Sequence, residues 1–181
     1  VGNNFPLSKH KKVKRIQWIS QWRNFPDYIV LYGRTIKSED MFEPMRISLE
    51  VVSEFCEKNN LSLEIIGIGS RYKKKESKFY SKFLDRFEFL SKDSHSPYLS
   101  YRQISDDAII CGNDSMLLYE SFARNFRTAF FTIVGHFINA PSRKFNWPNA
   151  TEDFGEFWCN SPKKSQMENI LNYLLHVNQN I

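Results

Sequence analysis

Short apolar runs alternate along this chain with stretches whose apolar residues recur every three or four positions. Runs rich in β-branched and aromatic side chains predict buried strands, at residues 13–20, 61–68, 87–90, 108–111 and 128–134. Helical spacing predicts helices, at residues 43–59, 73–84, 114–124 and 165–177. Strands and helices that alternate in this way are joined by right-handed crossovers. We therefore expect an α/β fold with an open, mostly parallel sheet and helices on both faces.

The remaining segments show no such periodicity. Residues 1–12 contain Gly, Asn, Pro and Lys and predict a linker, which leads into one domain over residues 13–181. A linker in this position suggests that the chain is a piece of a longer protein. Residues 28–37 are expected to form an irregular connection. Residues 135–160 are expected to form a long loop, of a kind that is often functional, with disorder as the plain alternative.

The length and the cysteines limit the class of protein. A chain of 181 residues can build a full three-layer core without a metal or a disulfide. Its three cysteines form no CxxC pair, which favours a reduced compartment. The longest apolar stretch is interrupted by Gly135 and His136, and no apolar signal region begins the chain, so neither a spanning helix nor a signal peptide is predicted. We expect a cytoplasmic protein that works in solution or at the inner face of the membrane.

The charge pattern leaves several partners open. The formal net charge is +5, and basic residues cluster at residues 9–15 and 71–78. Such clusters bind nucleic acid, an anionic membrane surface or a nucleotide phosphate, or they are simply solvated surface. The sequence contains no HExxH, CxxC, GxSxG or GxxxxGK[ST] motif and no GxGxxG after the first strand. Zinc enzymes, P-loop ATPases and standard dinucleotide-binding domains are therefore not predicted, and we expect no metal cofactor.

One strand–helix–strand unit, at residues 106–131, carries a candidate anion site. The polar turn between its first strand and its helix contains Asp and Ser, whose oxygens can cap the free amides of a helix N-terminus. The same amides can hold a phosphate, a preceding Gly lets the backbone approach a ligand, and an acid within two turns can reach ribose hydroxyls. We expect Asp to cap the helix and the Ser hydroxyl to donate to phosphate. The alternative is an ordinary cap followed by a surface acid. The residues concerned are Gly112, Asn113, Asp114, Ser115 and Glu120.

Comparable polar residues follow the other predicted strands. In an open α/β sheet the ligand crevice lies at the carboxyl ends of the strands, so these turns are expected to converge. The candidates are Ser20, Gln21 and Arg23 after the first strand, Gly69, Ser70 and Arg71 after the second, and His95 after the third. The alternative for the first turn is that Trp22 packs in the core while Arg23 is solvated. The alternative for His95 is that a lone histidine in a loop has no role.

The run Asp106–Phe131, DDAIICGNDSMLLYESFARNFRTAFF, resembles the C-terminal half of GT-B glycosyltransferases, especially bacterial transferases of the capsule and O-antigen type. In those enzymes a strand ends in Gly and Ser/Thr, the next helix carries a Tyr-Glu or Glu-Ala pair, and a Gly leads to another strand. Here Asn125 replaces that Gly, and we predict that it adopts the left-handed conformation, for which Asn is the next best residue. The segments 20–23 (SQWR) and 155–158 (GEFW) resemble two further motifs, although Glu156 replaces a small residue or Pro.

This resemblance, which runs from about Ile16 to Leu175, implies a Rossmann-like domain that is one half of a GT-B fold. It implies a nucleotide-sugar donor bound at the candidate residues above, a glycan acceptor, and a second Rossmann-like domain N-terminal to this chain. That second domain would supply the acceptor site and usually the catalytic base. Peripheral membrane association fits this role, and no nucleic acid is expected. The alternative hypothesis is a non-catalytic α/β interaction module whose basic clusters bind a partner, nucleic acid or a membrane surface.

Overall fold

The fold is built on a parallel β-sheet. The computed structural model describes residues 8–9, 11–31, 34–38, 40–91, 99–137, 144–145 and 153–177. Within these residues the strands are β1 Arg15–Ile19, β2 Tyr28–Leu31, β3 Arg34–Lys37, β4 Ser62–Ile66, β5 Glu88–Leu90, β6 Ala108–Gly112, β7 Arg127–Phe131 and β8 Trp158–Cys159. Six of them form one sheet in the order β5-β4-β1-β6-β7-β8, in which all neighbours are parallel. The predicted Rossmann-like α/β class is confirmed.

Helices connect the strands. They are α1 Glu43–Asn59, α2 Lys73–Tyr80, α3 Leu99–Gln103, α4 Met116–Ala123, α5 Val134–Phe137 and α6 Lys164–His176, with short 3-10 turns at Asp40–Phe42 and Ser70–Tyr72. Helix α1 begins where Pro44 can occupy its first turn, as predicted. It ends at Asn60, which has a left-handed φ of 55°. Asn125, after α4, has a φ of 62°, which confirms the predicted left-handed terminus.

The order of the strands creates a topological switch point between β1 and β6. From β1 the chain winds outward through β4 to β5, and then returns to the other side of β1 to add β6, β7 and β8. The crossovers on the two sides therefore leave the carboxyl ends of β1 and β6 in opposite directions. This opens a crevice between their turns, where ligands bind in sheets of this kind.

Hydrophobic residues fill both faces of the sheet. The larger core joins α1, α2 and α6 to one face, and it includes the fully buried Trp18, whose ring stacks on Phe131 with centroids 6.4 Å apart. The smaller core joins α4 to the opposite face through Leu118, Ile110 and Phe130. Each large apolar side chain that is fully buried contributes about 1.5–3 kcal/mol to folding, so both helical layers are held by apolar burial.

A polar network lies on the α3 side of the central strands. Arg15 forms ion pairs with Glu64 and Asp107, at 2.5 and 3.0 Å. Gln17 donates to Glu64 at 2.7 Å and accepts from the amide of Ser105 at 3.0 Å. Although burial acts in the opposite direction, the Ser105 hydroxyl and the Arg15 guanidinium lower the pKa of Asp107. The network fixes the segment before β6 to the middle of the sheet.

Three predicted elements were wrong in detail. Residues 28–37 form the hairpin of β2 and β3 rather than an irregular connection, and the strands pair only with each other among the described residues. The strand predicted to run to residue 134 ends at Phe131, because α5 begins at Val134. The predicted long loop contains α5 and β8, and β8 adds to β7 through the pairs Phe130–Trp158 and Phe131–Cys159.

Candidate functional site

The polar turns that follow β1, β4 and β6 lie together at the carboxyl edge of the sheet. Gln21, after β1, donates from its side chain to the carbonyl of Asp114, after β6. Trp22 makes an edge contact with Tyr72, after β4, with ring centroids 6.0 Å apart. The amide of Ser20 donates to the carbonyl of Ile66 at 3.0 Å. The predicted convergence of the three turns is therefore observed.

The N-terminus of α4 is capped by Ser115. This residue has an extended backbone, with φ −133° and ψ 147°, and its Oγ accepts from the Leu118 amide at 3.2 Å. The amides of Met116 and Leu117 lie in the first turn, where the helix offers no carbonyl for them to donate to. The cap predicted at Asp114 was thus one residue too early, because the strand continues through Gly112 and delays the turn. A serine oxygen that accepts from an amide can still donate its own proton to a ligand.

Asp114 is exposed, and its carboxylate lies beside the hydroxyl of Tyr119. Burial and this neighbouring carboxylate raise the pKa of Tyr119 to about 12. The carboxylate therefore has a neutral phenol as its neighbour on α4. The phenol carries no charge, so Asp114 opposes an anion at the α4 N-terminus, and the helix amides and dipole act in the opposite direction.

Asn113 is the buried polar residue at the switch point. Its side chain is 5% exposed, and its Oδ1 is buried with no hydrogen-bond partner among the described residues. Its backbone carbonyl accepts from the Thr132 hydroxyl at 3.1 Å, which fixes the turn against the end of β7. An acceptor buried without a partner costs about 1–3 kcal/mol. A donor on a ligand would remove that cost.

Gly112 faces the interior side of the turn that follows β6. It is the last residue of β6, and a Cβ there would lie 3.5 Å from the Ile19 carbonyl and 3.5 Å from a methyl carbon of Leu118. The open side of this glycine thus faces the interior between β1 and α4. Contacts of 3.5 Å are ordinary van der Waals distances, so packing does not require glycine here, and the predicted close approach of a ligand stays a prediction.

Ser20 faces inward rather than toward the crevice. It is 8% exposed, its Oγ lies 2.5 Å from the Tyr80 hydroxyl, and it accepts from the Trp22 amide at 3.1 Å. Tyr80 is fully buried, and burial raises the pKa of its phenol. Both hydrogen-bonding capacities of Ser20 are therefore used inside the protein. Its contribution to a ligand site would be to hold the β1 turn in place.

The sequence-based predictions missed Glu76, a fully buried carboxylate in α2. It accepts from the amide of Ile68 at 3.3 and 3.2 Å, and it also interacts with Ser20. Burial raises the pKa of Glu76, while the hydrogen bonds from Ser20 and Ile68 act in the opposite direction. This carboxylate links the turn after β4 to the turn after β1, so it is a positioning residue for the carboxyl edge.

The other predicted residues are more peripheral. Arg23 is exposed, and Arg71 is exposed with its guanidinium carbon 5.3 Å from the centre of the Tyr72 ring. Gly69 has open space where a Cβ would be, and Ser70 begins the 3-10 turn that leads into α2. Glu120 is half-buried in the second turn of α4. His95 lies outside the described residues.

The described residues contain no group of His, Cys, Asp and Glu side chains that could hold a metal ion. Among these residues, no helix has the length and apolar character needed to span a membrane.

Comparison with known proteins gives one family. Residues 2–180 match the model of a family described as "putative O-antigen biosynthesis protein". Neither the curated proteins nor the solved structures include a significant match to this chain.

Proposed function

This chain belongs to that O-antigen biosynthesis family, and we propose that it binds the nucleotide part of an activated sugar at the switch point between β1 and β6. The finer role would be that of the donor-binding half of a GT-B glycosyltransferase. Such a domain holds the donor, while a second domain supplies the glycan acceptor site and the catalytic base. No residue of the described site is assigned to bond-breaking chemistry.

The observation that carries the proposal is the combination of Asn113 and the α4 N-terminus. The positive end of a helix dipole and its free amides favour a phosphate. The buried Oδ1 of Asn113 precedes that terminus by two residues and lacks a donor among the described residues. A nucleotide supplies both groups, because its phosphate accepts from amides and its nucleoside carries N–H and hydroxyl donors. A free anion would leave the Asn113 oxygen unpaired.

Glu120 is the residue proposed to recognise ribose. It lies five residues after the Ser115 cap, which is about 7.5 Å along the helix axis. A diphosphate at the helix terminus leaves its nucleoside within reach of the first two turns. A carboxylate at that distance can accept from the ribose hydroxyls, and it lies too far from the helix terminus to contact inorganic phosphate bound there.

Calorimetric titration of the full chain with CMP, UDP, GDP and inorganic phosphate tests the proposal. Ser115→Ala removes a hydrogen bond to a charged group, so affinity for the bound nucleotide should fall about tenfold. Glu120→Gln should weaken nucleotide binding and leave phosphate binding nearly unchanged. Asn113→Ala should weaken nucleotide binding without lowering the free energy of unfolding, because it removes an unpaired buried acceptor.

Ser121→Ala is the matched control. It removes a serine hydroxyl from the same helix, where Ser121 donates to the Leu117 carbonyl at 2.7 Å rather than to a ligand. This variant should bind nucleotide as the parent does. If none of the three nucleotides binds the folded parent protein at millimolar concentration, the donor-site proposal is wrong.

A further inference from the structure

A group of exposed cations lies on the side of the carboxyl edge that β4 forms. Between residues 71 and 78 the chain places five basic residues in the 3-10 turn after β4 and in α2. All five are exposed, and we call them the cationic rim: Arg71, Lys73, Lys74, Lys75 and Lys78. The only acid in that segment, Glu76, is fully buried. No carboxylate within the segment therefore neutralises the rim.

The rim is a fixed face rather than a loose charged segment. The inner side of α2 is anchored by Glu76 and by Tyr80, whose hydroxyl contacts Ser20. Successive helix residues are rotated by about 100°, so Lys74, Lys75 and Lys78 lie on the side away from Glu76 and Tyr80. The N-terminus of α2 carries the positive end of its helix dipole, which adds to the positive potential at this edge.

An exposed aliphatic side chain lies next to the rim. Ile68 is 47% exposed in the loop between Gly67 and Gly69, directly before the rim. The Glu76 carboxylate accepts from its amide, so the loop is held in this position by the same helix that carries the lysines. An exposed apolar side chain beside a cationic helix combines the apolar burial and the attraction to anionic lipid on which binding at a membrane surface depends.

We infer that the cationic rim and Ile68 form a docking surface for an anionic lipid bilayer. Each basic residue near an anionic membrane surface strengthens attachment, so a rim of five cations supports reversible binding. Proteins that bind single-stranded nucleic acid stack bases on exposed aromatic rings, whereas the rings nearest this rim, Tyr72 and Phe79, are half-buried and pack against Trp22 and Phe42. Insertion into the hydrocarbon of a bilayer is favourable for the Ile68 side chain, because it removes apolar surface from water.

Apart from Arg71, this surface shares no residue with the proposed nucleotide site, although both lie at one edge of the sheet. β4 and β6 flank β1, so their carboxyl ends are about 10 Å apart. Docking through the rim would therefore hold the switch-point crevice beside the membrane surface. Nucleotide binding, which uses the α4 terminus, should not depend on the rim.

Co-sedimentation of the full chain with lipid vesicles tests the inference. The protein should bind vesicles of phosphatidylcholine and phosphatidylglycerol, should not bind pure phosphatidylcholine, and should be released by added salt. Exchange of Lys74, Lys75 and Lys78 for Glu should weaken binding by tenfold or more. Ile68→Ser should weaken binding while keeping its dependence on salt.

A charge-matched control is available at the opposite edge of the sheet. Lys12, Lys14 and Lys58 are exposed there, and their exchange for Glu changes the net charge by the same amount. This control should bind vesicles within about twofold of the parent, since long-range attraction by net charge is screened within about one Debye length. Circular dichroism should show that both triple variants fold, and nucleotide titration should be unchanged by the α2 variant.

Three results would overturn the inference. They are no binding to the anionic vesicles at low salt, equal loss of binding in the two triple variants, and tighter binding of single-stranded RNA than of vesicles by the same rim. Each can occur whether or not nucleotide binds, so failure of the docking surface is distinguishable from failure of the nucleotide site.

Discussion

Replacement of Glu76 should show how strongly the carboxyl edge depends on one buried carboxylate. In Glu76→Ala the Ile68 amide loses its acceptor, which costs about 1–3 kcal/mol, and the void beside Gly67 and the Phe89 ring adds to that cost. Glu76→Gln keeps an oxygen that can accept from Ile68. Its free energy of unfolding should therefore stay within about 1 kcal/mol of the parent at acid pH.

The two variants should also differ from the parent in their response to pH. Burial raises the pKa of Glu76 above its value in the unfolded chain, so the folded state holds the proton more tightly. The resulting stabilisation is present below the unfolded pKa and is lost as the pH rises through the folded pKa. Glutamine does not titrate, so the stability of Glu76→Gln relative to the parent should increase from acid to neutral pH.

Urea unfolding of the parent and both variants across that pH range measures both effects. Glu76→Ala should be the least stable at every pH. If Glu76→Gln and the parent show parallel pH profiles, Glu76 has no raised pKa in the folded protein. If Glu76→Ala is as stable as the parent, the contact with Ile68 does not hold the loop.

Two further predictions concern stability and reactivity. Asn60 is exposed and has a φ of 55°, a conformation that alanine adopts less readily than asparagine or glycine. Asn60→Ala should therefore lower the free energy of unfolding by about 1 kcal/mol, whereas Asn60→Gly should not lower it. Urea unfolding that shows the Ala variant to be more stable than the Gly variant would contradict this. All three cysteines are buried, and burial raises the pKa of Cys56 to about 12 and raises that of Cys111 and Cys159. A thiol reagent at mildly alkaline pH should therefore label none of them in the folded protein and all three in urea, and rapid labelling before unfolding would show an accessible thiol.

The main sheet was predictable because its central strands are buried on both faces. β1, β4, β6 and β7 each carry a run of apolar or β-branched residues. Fully buried parallel strands have this pattern regardless of their partners. The left-handed Asn125 was predictable for a similar reason, because it depends on the residue type between a helix and a strand.

The hairpin and the edge strand were not predictable from local pattern. β3 reads Arg-Thr-Ile-Lys, and Tyr28 and Val30 of β2 are 59% and 73% exposed, so neither strand shows one buried face. β8 has two residues, and its register depends on pairing with Phe130 and Phe131. A strand of that length has no period of its own, so its formation is decided by the sheet edge that it joins.

Glu76 was missed because its environment is tertiary. In sequence it lies in a run of lysines, where an acid is ordinarily a solvated partner for its neighbours. In the structure Gly67 leaves space for it, since a Cβ at that position would lie 3.3 Å from the Glu76 carboxylate. The available signal was Tyr80, four residues later on the same helix face, which places the acid on the apolar side of α2.

The Oδ1 of Asn113 is one of seven buried side-chain polar atoms without a partner among the described residues, and it is the one in the turn at the switch point. The indole nitrogens of Trp18 and Trp158 also lack partners among the described residues, but they belong to large rings whose burial repays the loss. Asn113 has no such compensation, because its short side chain brings little apolar area into the protein. It also lies at the switch point, two residues before the α4 N-terminus. A position that costs stability without a packing gain is expected where binding requires it. The decisive comparison is therefore the unfolding free energy of Asn113→Ala with and without nucleotide: the variant should match or exceed the parent without nucleotide and fall below it with saturating nucleotide.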